Sequence, residues 1–173
     1  TFSDNSKNRE FPKTTTVRIA EHDNTGAVVK IWNSAKDIQA AYGYGSTDSI
    51  YRCCRGEVKL AQEKKWSYPD MVTDLTGYET VIEGDVEYPK YKINREGTII
   101  DHLNMPLIPG NRAGNLQVSL TREKYKAKSA YVRRLVAYRF LPANTNPTVL
   151  KYVVHLDGDY ENCHVENLKW GTL

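Results

Sequence analysis

Apolar and polar positions along the chain fall into two patterned blocks. Val17 and Ile19, then Val28, Val29 and Ile31, read as two short strands around the turn-forming run Asp23-Asn24-Thr25-Gly26. Ser34 offers an N-cap hydroxyl, Ile38 and Ala41 share one face of the stretch Ala35 to Tyr42, and Gly43 stands where a helix ends. After Gly43-Tyr44-Gly45, Ser46 or Thr47 caps a second helix from Asp48 to about Cys54, stopped by Gly56, and Trp66-Ser67-Tyr68 reads as a closing strand. Two short helices joined by a glycine turn predict a helix-turn-helix over residues 14–68. Residues 1–13 are polar and aperiodic, a tail or linker, and 69–77 read as a second linker.

The second block, 78–173, is richer in strands. Tyr78 to Ile82 forms one, and Tyr91 to Ile100 reads as two strands around Arg95-Glu96-Gly97. Leu116, Val118 and Leu120 alternate with Asn115, Gln117, Ser119 and Thr121, the pattern of a strand with one polar face. Leu135, Val136 and Phe140 fit a short helix ended by Pro142, Asn144 to Pro147 turns, and Val149 to Val154 leads as a strand into His155. The expected class is α+β: a β-hairpin with a helix-turn-helix, then antiparallel sheet.

A length of 173 residues suits one domain or two small ones. No apolar run approaches the roughly 20 residues that a membrane helix needs, so a membrane partner is not expected. The chain starts at Thr1 rather than methionine, which fits a trimmed piece of a longer product. Cys53, Cys54 and Cys163 have no paired spacing, which excludes a four-ligand zinc site, and free thiols fit a reducing cytoplasm.

Charge sharpens the picture more than composition does. Between Arg112 and Arg139 stand eight basic residues (Arg112, Arg122, Lys124, Lys126, Lys128, Arg133, Arg134 and Arg139) against the single acid Glu123. That window carries +7 in a chain of net charge +3, so the remainder carries −4. A stripe of one sign is what a phosphate backbone needs, and double-stranded DNA is the expected partner. Lys124, Lys126 and Lys128 alternate, so on a strand they project from one face. Asn115 and Gln117 alternate likewise, and such amides can read base edges. From the second helix, Ser46, Thr47, Ser49, Tyr51, Arg52 and Arg55 can reach a duplex.

The most informative stretch is Val153-Val154-His155-Leu156-Asp157-Gly158-Asp159, followed by Asn162, Asn167, Leu168 and Trp170. Asp-Gly is turn chemistry, so the histidine is expected at the lip of a hairpin, where an imidazole can serve as general base. Read as H-x-D-G-x-x-x-N-x-x-x-x-N-L-x-W, the stretch resembles the phage-type HNH homing endonucleases, and the resemblance spans about residues 77–170. It implies that His155 activates water, that Asn162 braces the loop and Asn167 the histidine strand, and that Mg²⁺ or Mn²⁺ holds the scissile phosphate if the site is active. Residues 14–68 resemble the small modular DNA-binding domains that accompany HNH and GIY-YIG nucleases, and a phage-encoded chain would work in the host cytoplasm.

Four departures accompany the match. Val154 stands where the family has an Asp or Asn ligand, and a hard cation needs oxygen donors. The helix carrying the second family ligand would follow Trp170, and this chain stops at Leu173, which implies a truncated ββα-metal unit. Arg133 replaces a family histidine and adds a cation, and Asp159 replaces an asparagine. Asp157 could offer an oxygen, but the family uses that position with Gly158 to close the turn. The metal ligands are unassigned. Three functions fit: a duplex-DNA-binding protein with weakened or lost nuclease activity, an active metal-dependent nickase, and an interaction subunit of a larger nucleoprotein complex.

Overall fold

The computed structural model describes residues 17–122 and 127–172. It is a mixed α and β chain in two compact units, divided between Pro69 and Asp70. The tail expected over residues 1–13 lies outside the described residues.

In the first unit, β1 (Ile19–His22) is central, paired antiparallel with β2 (Val28–Trp32) on one side and, further along the chain, with β3 (Lys65–Ser67) on the other. Between them come α1 (Ala35–Tyr42) and α2 (Asp48–Cys54). Ser34 Oγ accepts from the Asp37 amide at 3.2 Å, and Gly43, at φ +70°, lets its own amide reach back to the Gln39 carbonyl. That conformation favours glycine. Ile19, Ile38, Ile50 and Trp66 are fully buried and form the core.

One buried acid lies in that core, and the sequence pattern did not reveal it. Glu21 is 3% exposed and accepts hydrogen bonds from Trp32 Nε1 at 2.9 Å, from the Tyr42 hydroxyl, and from Lys64, with which it forms an ion pair. Burial pushes the carboxyl up, but these donors outweigh it and hold it below its usual range. A strand, a helix and a loop thereby share one acceptor.

The second unit opens with β4 (Glu79–Glu83) and β5 (Val86–Ile93), a hairpin continued by β6 (Ile99–Ile100). Strand β5 starts well before Tyr91 and passes through Pro89. The register slips between Thr80 and Val81, opposite that proline. Proline has no amide to donate, so it is accommodated at such a bulge. Next come β7 (Gly110–Arg112), β8 (Asn115–Leu120) and β9 (Lys128–Tyr131), a meander whose first strand has no apolar pattern to announce it. Helix α3 (Val132–Phe140) buries Leu135 and Val136 completely against the sheets.

Strand β10 (Tyr152–His155) pairs with β11 (Leu168–Gly171). It begins three residues later than the apolar run Val149 to Val154 suggests. The amides of Val149 and Leu150 both turn back to the Asn146 carbonyl, and Asn144 Nδ2 donates to the Leu150 carbonyl, so the asparagine turn consumes the start of the run. The segment read as a linker is tied to this unit, since the Val72 amide donates to the Asn104 carbonyl. Gly97, at φ +85°, brings the β5–β6 turn against the β10–β11 loop. A Cβ there would lie 3.0 Å from Cys163 Cβ, and the adjacent Arg95 carbonyl accepts from the Val165 amide at 2.8 Å.

Candidate functional site

The β10–β11 hairpin is in register from Tyr152 opposite Gly171 to His155 opposite Leu168. Its loop closes on Asp157. Asp157 Oδ1 accepts from the Asp159 amide and from Asn167 Nδ2, and Oδ2 accepts from Asn162 Nδ2 at 2.7 Å. Asn167 also donates to the Asn162 carbonyl and accepts from the Asp157 amide at 3.0 Å. Its backbone carbonyl takes the Leu156 amide. Asn167 therefore cross-braces the loop directly behind His155. The bond from Asn162, followed by those from Asp159 and Asn167, holds the Asp157 carboxyl below its ordinary pKa.

His155 closes β10 at the lip of this hairpin and is buried there. The residue is 5% exposed, and among the described residues neither ring nitrogen has a hydrogen-bond partner or meaningful contact with solvent. Tyr160 packs edge-on against the imidazole, with ring centroids 5.4 Å apart at 89°. Burial pushes the His155 pKa down, and the charge of Arg133 pushes it further; Asp157 and Asp159 oppose more weakly. The ring is thus held neutral at pH 7, the state in which a histidine can accept a proton. Arg133 lies in the first turn of α3, which contains no acid, so it adds to the positive end of the helix.

The oxygen donors for a hard cation are not assembled. Val154 is half-buried on β10, and its Cγ2 sits where a Cβ on Gly171 would fall, 2.9 Å away. Both oxygens of Asp157 are engaged inside the loop, and Asp159 Oδ1 takes the Glu161 amide. His164 Nδ1 accepts from the Glu166 amide and caps a short 3-10 turn at Val165–Asn167. Among the described residues no group of three or more His, Cys, Asp or Glu side chains could hold a metal ion. The residues present do not fit the divalent cation that the sequence resemblance implies.

The basic residues are less uniform in space than along the chain. Lys128 pairs with Glu83 at 2.8 Å and Arg139 with Glu79, both acids supplied by β4. A window of one sign in sequence is therefore partly neutralised by a strand distant in sequence. Arg112 and Arg122 are exposed, and Lys124 and Lys126 lie outside the described residues. Arg133 donates to Asn115 Oδ1 and stacks over Tyr131, while Arg134 donates to the Tyr138 hydroxyl at 3.1 Å. Asn115 Nδ2 is turned to the Ala113 carbonyl, and Gln117 Oε1 accepts from Ser129. The amide of Asn115 is thus engaged within the protein, where base reading had been expected of it. On α2, Ser49 is half-buried, and Arg52 and Arg55 both pair with Glu57 just past the helix. Such exposed pairs are weak.

Tyr160 is the residue that reading along the chain misses. Its place against His155 depends on how the loop docks, and no spacing announces it.

No family model matches the chain. A curated protein of Acanthamoeba polyphaga mimivirus, described as an uncharacterized HNH endonuclease, is 29% identical to it over 158 residues, 86% of this chain and 37% of the relative. The chain therefore spans little more than a third of that protein. Among solved structures, one on DNA binding and cleavage by the HNH homing endonuclease I-HmuI matches with a TM-score of 0.45 and 24% identity, over 55% of this chain and 52% of that one. Across 86% of its length, the chain is thus similar to a protein described as an HNH endonuclease.

Proposed function

We propose that this chain is a double-stranded DNA-binding protein of HNH homing-endonuclease descent whose nuclease activity is weakened or lost. The observation that carries the reading is the hairpin around His155: a candidate base is present, but the neighbouring strand position is Val154 and the loop carboxylate is consumed by Asn162 and Asn167. HNH nucleases generally depend on a divalent cation, and these residues give one no cradle. What remains suited to DNA is charge. Arg112 and Arg122 are exposed on the second unit, with Arg133 at the positive end of α3. Residues 14–68 act as the helix-turn-helix module, with Arg52 and Arg55 released from Glu57 to meet phosphates.

An active metal-dependent nickase is the second reading, and one observation favours it. His155 is kept neutral with both nitrogens uncommitted, the state in which it can take a proton from water.

The test is a gel shift on duplex DNA across a range of salt, run beside nicking of supercoiled plasmid in Mg²⁺ or Mn²⁺. EDTA and His155→Ala serve as controls. Retarded DNA, weakening with salt and without nicking, is the expected result. Affinity indifferent to salt would overturn the DNA-binding reading. Metal-dependent nicking abolished by His155→Ala would replace it with the second.

A further inference from the structure

The contact between Tyr160 and His155 is part of a larger arrangement. Tyr160 is 54% exposed, and its ring stands perpendicular to the imidazole with centroids 5.4 Å apart. Its ring also packs on the turn between β7 and β8: a Cβ on Gly114 would lie 3.8 Å from Tyr160 Cδ2 and 3.9 Å from its Cβ. The next residue, Glu161, accepts a hydrogen bond from Asn111 Nδ2, and Asn111 Oδ1 in turn takes the Gly114 amide at 2.8 Å. One hairpin tip therefore grips the loop at two successive residues.

A histidine that works as a base commonly has its second nitrogen held by a carbonyl or carboxylate, which fixes the ring and its tautomer. Among the described residues His155 has no such partner on either nitrogen. Its orientation must come from packing, and the polar atoms are kept from water by the same packing.

We infer that Tyr160 is the positioning residue for His155, orienting its ring and closing it off from solvent, with the β7–β8 turn holding Tyr160 in place. The inference rests on reading His155 as the candidate base. On this arrangement the nitrogens reach a water or a phosphate only when Tyr160 swings away, and loosening the Asn111–Glu161 contact eases that motion. Access to the base is therefore governed by a hairpin that contributes no reacting group. Gly114 suits the turn because its φ of +81° favours glycine, and that turn conformation sets the backbone in contact with the tyrosine.

The experiment is carbethoxylation of the folded full chain by diethylpyrocarbonate, following His155 against the exposed His102 by peptide mass. Modification needs a free ring nitrogen, so its rate reports local opening, and in the native chain His155 should react at least ~10-fold more slowly than His102. Tyr160→Ala should raise the His155 rate by ~10-fold or more, while Tyr160→Phe, which keeps the ring, should leave it slow. Asn111→Ala, which touches neither ring, should raise it by a smaller factor and covers the case in which Tyr160→Ala fails to fold.

A second readout is the His155 titration midpoint by NMR, where Arg133, Asp157 and Asp159 also bear on the ring. The midpoint should rise in Tyr160→Ala and stay low in Tyr160→Phe. A native His155 as reactive as His102, or rates and midpoint unmoved by Tyr160→Ala, would overturn the inference. A chain with slow His155 that does not retard DNA would sink the DNA reading alone and leave the cover over His155 standing.

Discussion

Asn167 makes three hydrogen bonds through its side chain, two to Asp157 and one to the Asn162 carbonyl, and each joins parts of the loop behind His155. Truncation to alanine strands those partners. Asn167→Ala should destabilise the hairpin by about 1–3 kcal/mol, read as faster amide exchange at Val153 and Leu168. His155 gives a pH signature. Its folded pKa is depressed by burial and Arg133, so below the ordinary value of 6.5 the unfolded chain binds the extra proton first. Stability from this group is complete above that value and is lost as pH falls through the folded pKa. The second unit should therefore weaken on mild acidification, and His155→Phe should remove that slope. A native chain whose exchange protection is flat from neutral pH down to about 5 would contradict it. At position 154 the valine side chain offers no oxygen to a cation. If that is the local obstacle to a cation, Val154→Asp should acquire a rise in melting temperature with Mn²⁺ that the native chain lacks.

Elements differ in how far their residues announce them. Helix α1 is written into the chain by Ser34, by Ile38 and Ala41 on one face, and by Gly43, because capping and periodicity act within a few residues. Strand β5 is obscured by Pro89 and β7 by the absence of apolar positions, and pairing with neighbours is what makes both into strands. The Glu21 network is likewise invisible to periodicity, since its donors come from β2, α1 and the loop before β3. Glu21→Ala would leave the Trp32 indole and the Tyr42 hydroxyl without an acceptor and Lys64 without its counter-charge. It should cost about 2–4 kcal/mol, seen as lost exchange protection across β1 and α1.

For the whole molecule the decisive property is charge, and space redistributes it. The single-sign window from Arg112 to Arg139 meets Glu83 and Glu79 from β4, so Lys128 and Arg139 are partly neutralised while Arg112 and Arg122 remain exposed. Replacing Arg112 and Arg122 together with glutamine should weaken duplex binding uniformly across sequences. It should also flatten the logarithmic salt dependence by about 1–2 units, because each phosphate contact contributes about 0.9. Lys128→Gln should change the slope less. Equal effects of the two changes would mean that the ion pair with Glu83 opens freely on DNA. In the first unit, Arg52 and Arg55 share Glu57, so Glu57→Gln should strengthen binding if α2 faces the duplex, and a gel shift at fixed salt decides it.

The chain's own order determined the parts that depend on near neighbours: the capped helix α1, the Asp157-Gly158 turn, the β10–β11 spacing that carries the likeness to HNH nucleases, and the position of His155 within it. Asn167 as a brace is what the resemblance carried by that spacing implies, and its partners lie within the same hairpin. Tertiary structure decided what surrounds these parts. It buried His155 beneath Tyr160, spent the Asp157 carboxylate on Asn162 and Asn167, and set acids from β4 against two of the basic residues. The reason is range. Caps, turns and register are settled by contacts a few residues apart. The exposure, charge and hydrogen-bond partners of a site depend on which distant strands and loops pack against it.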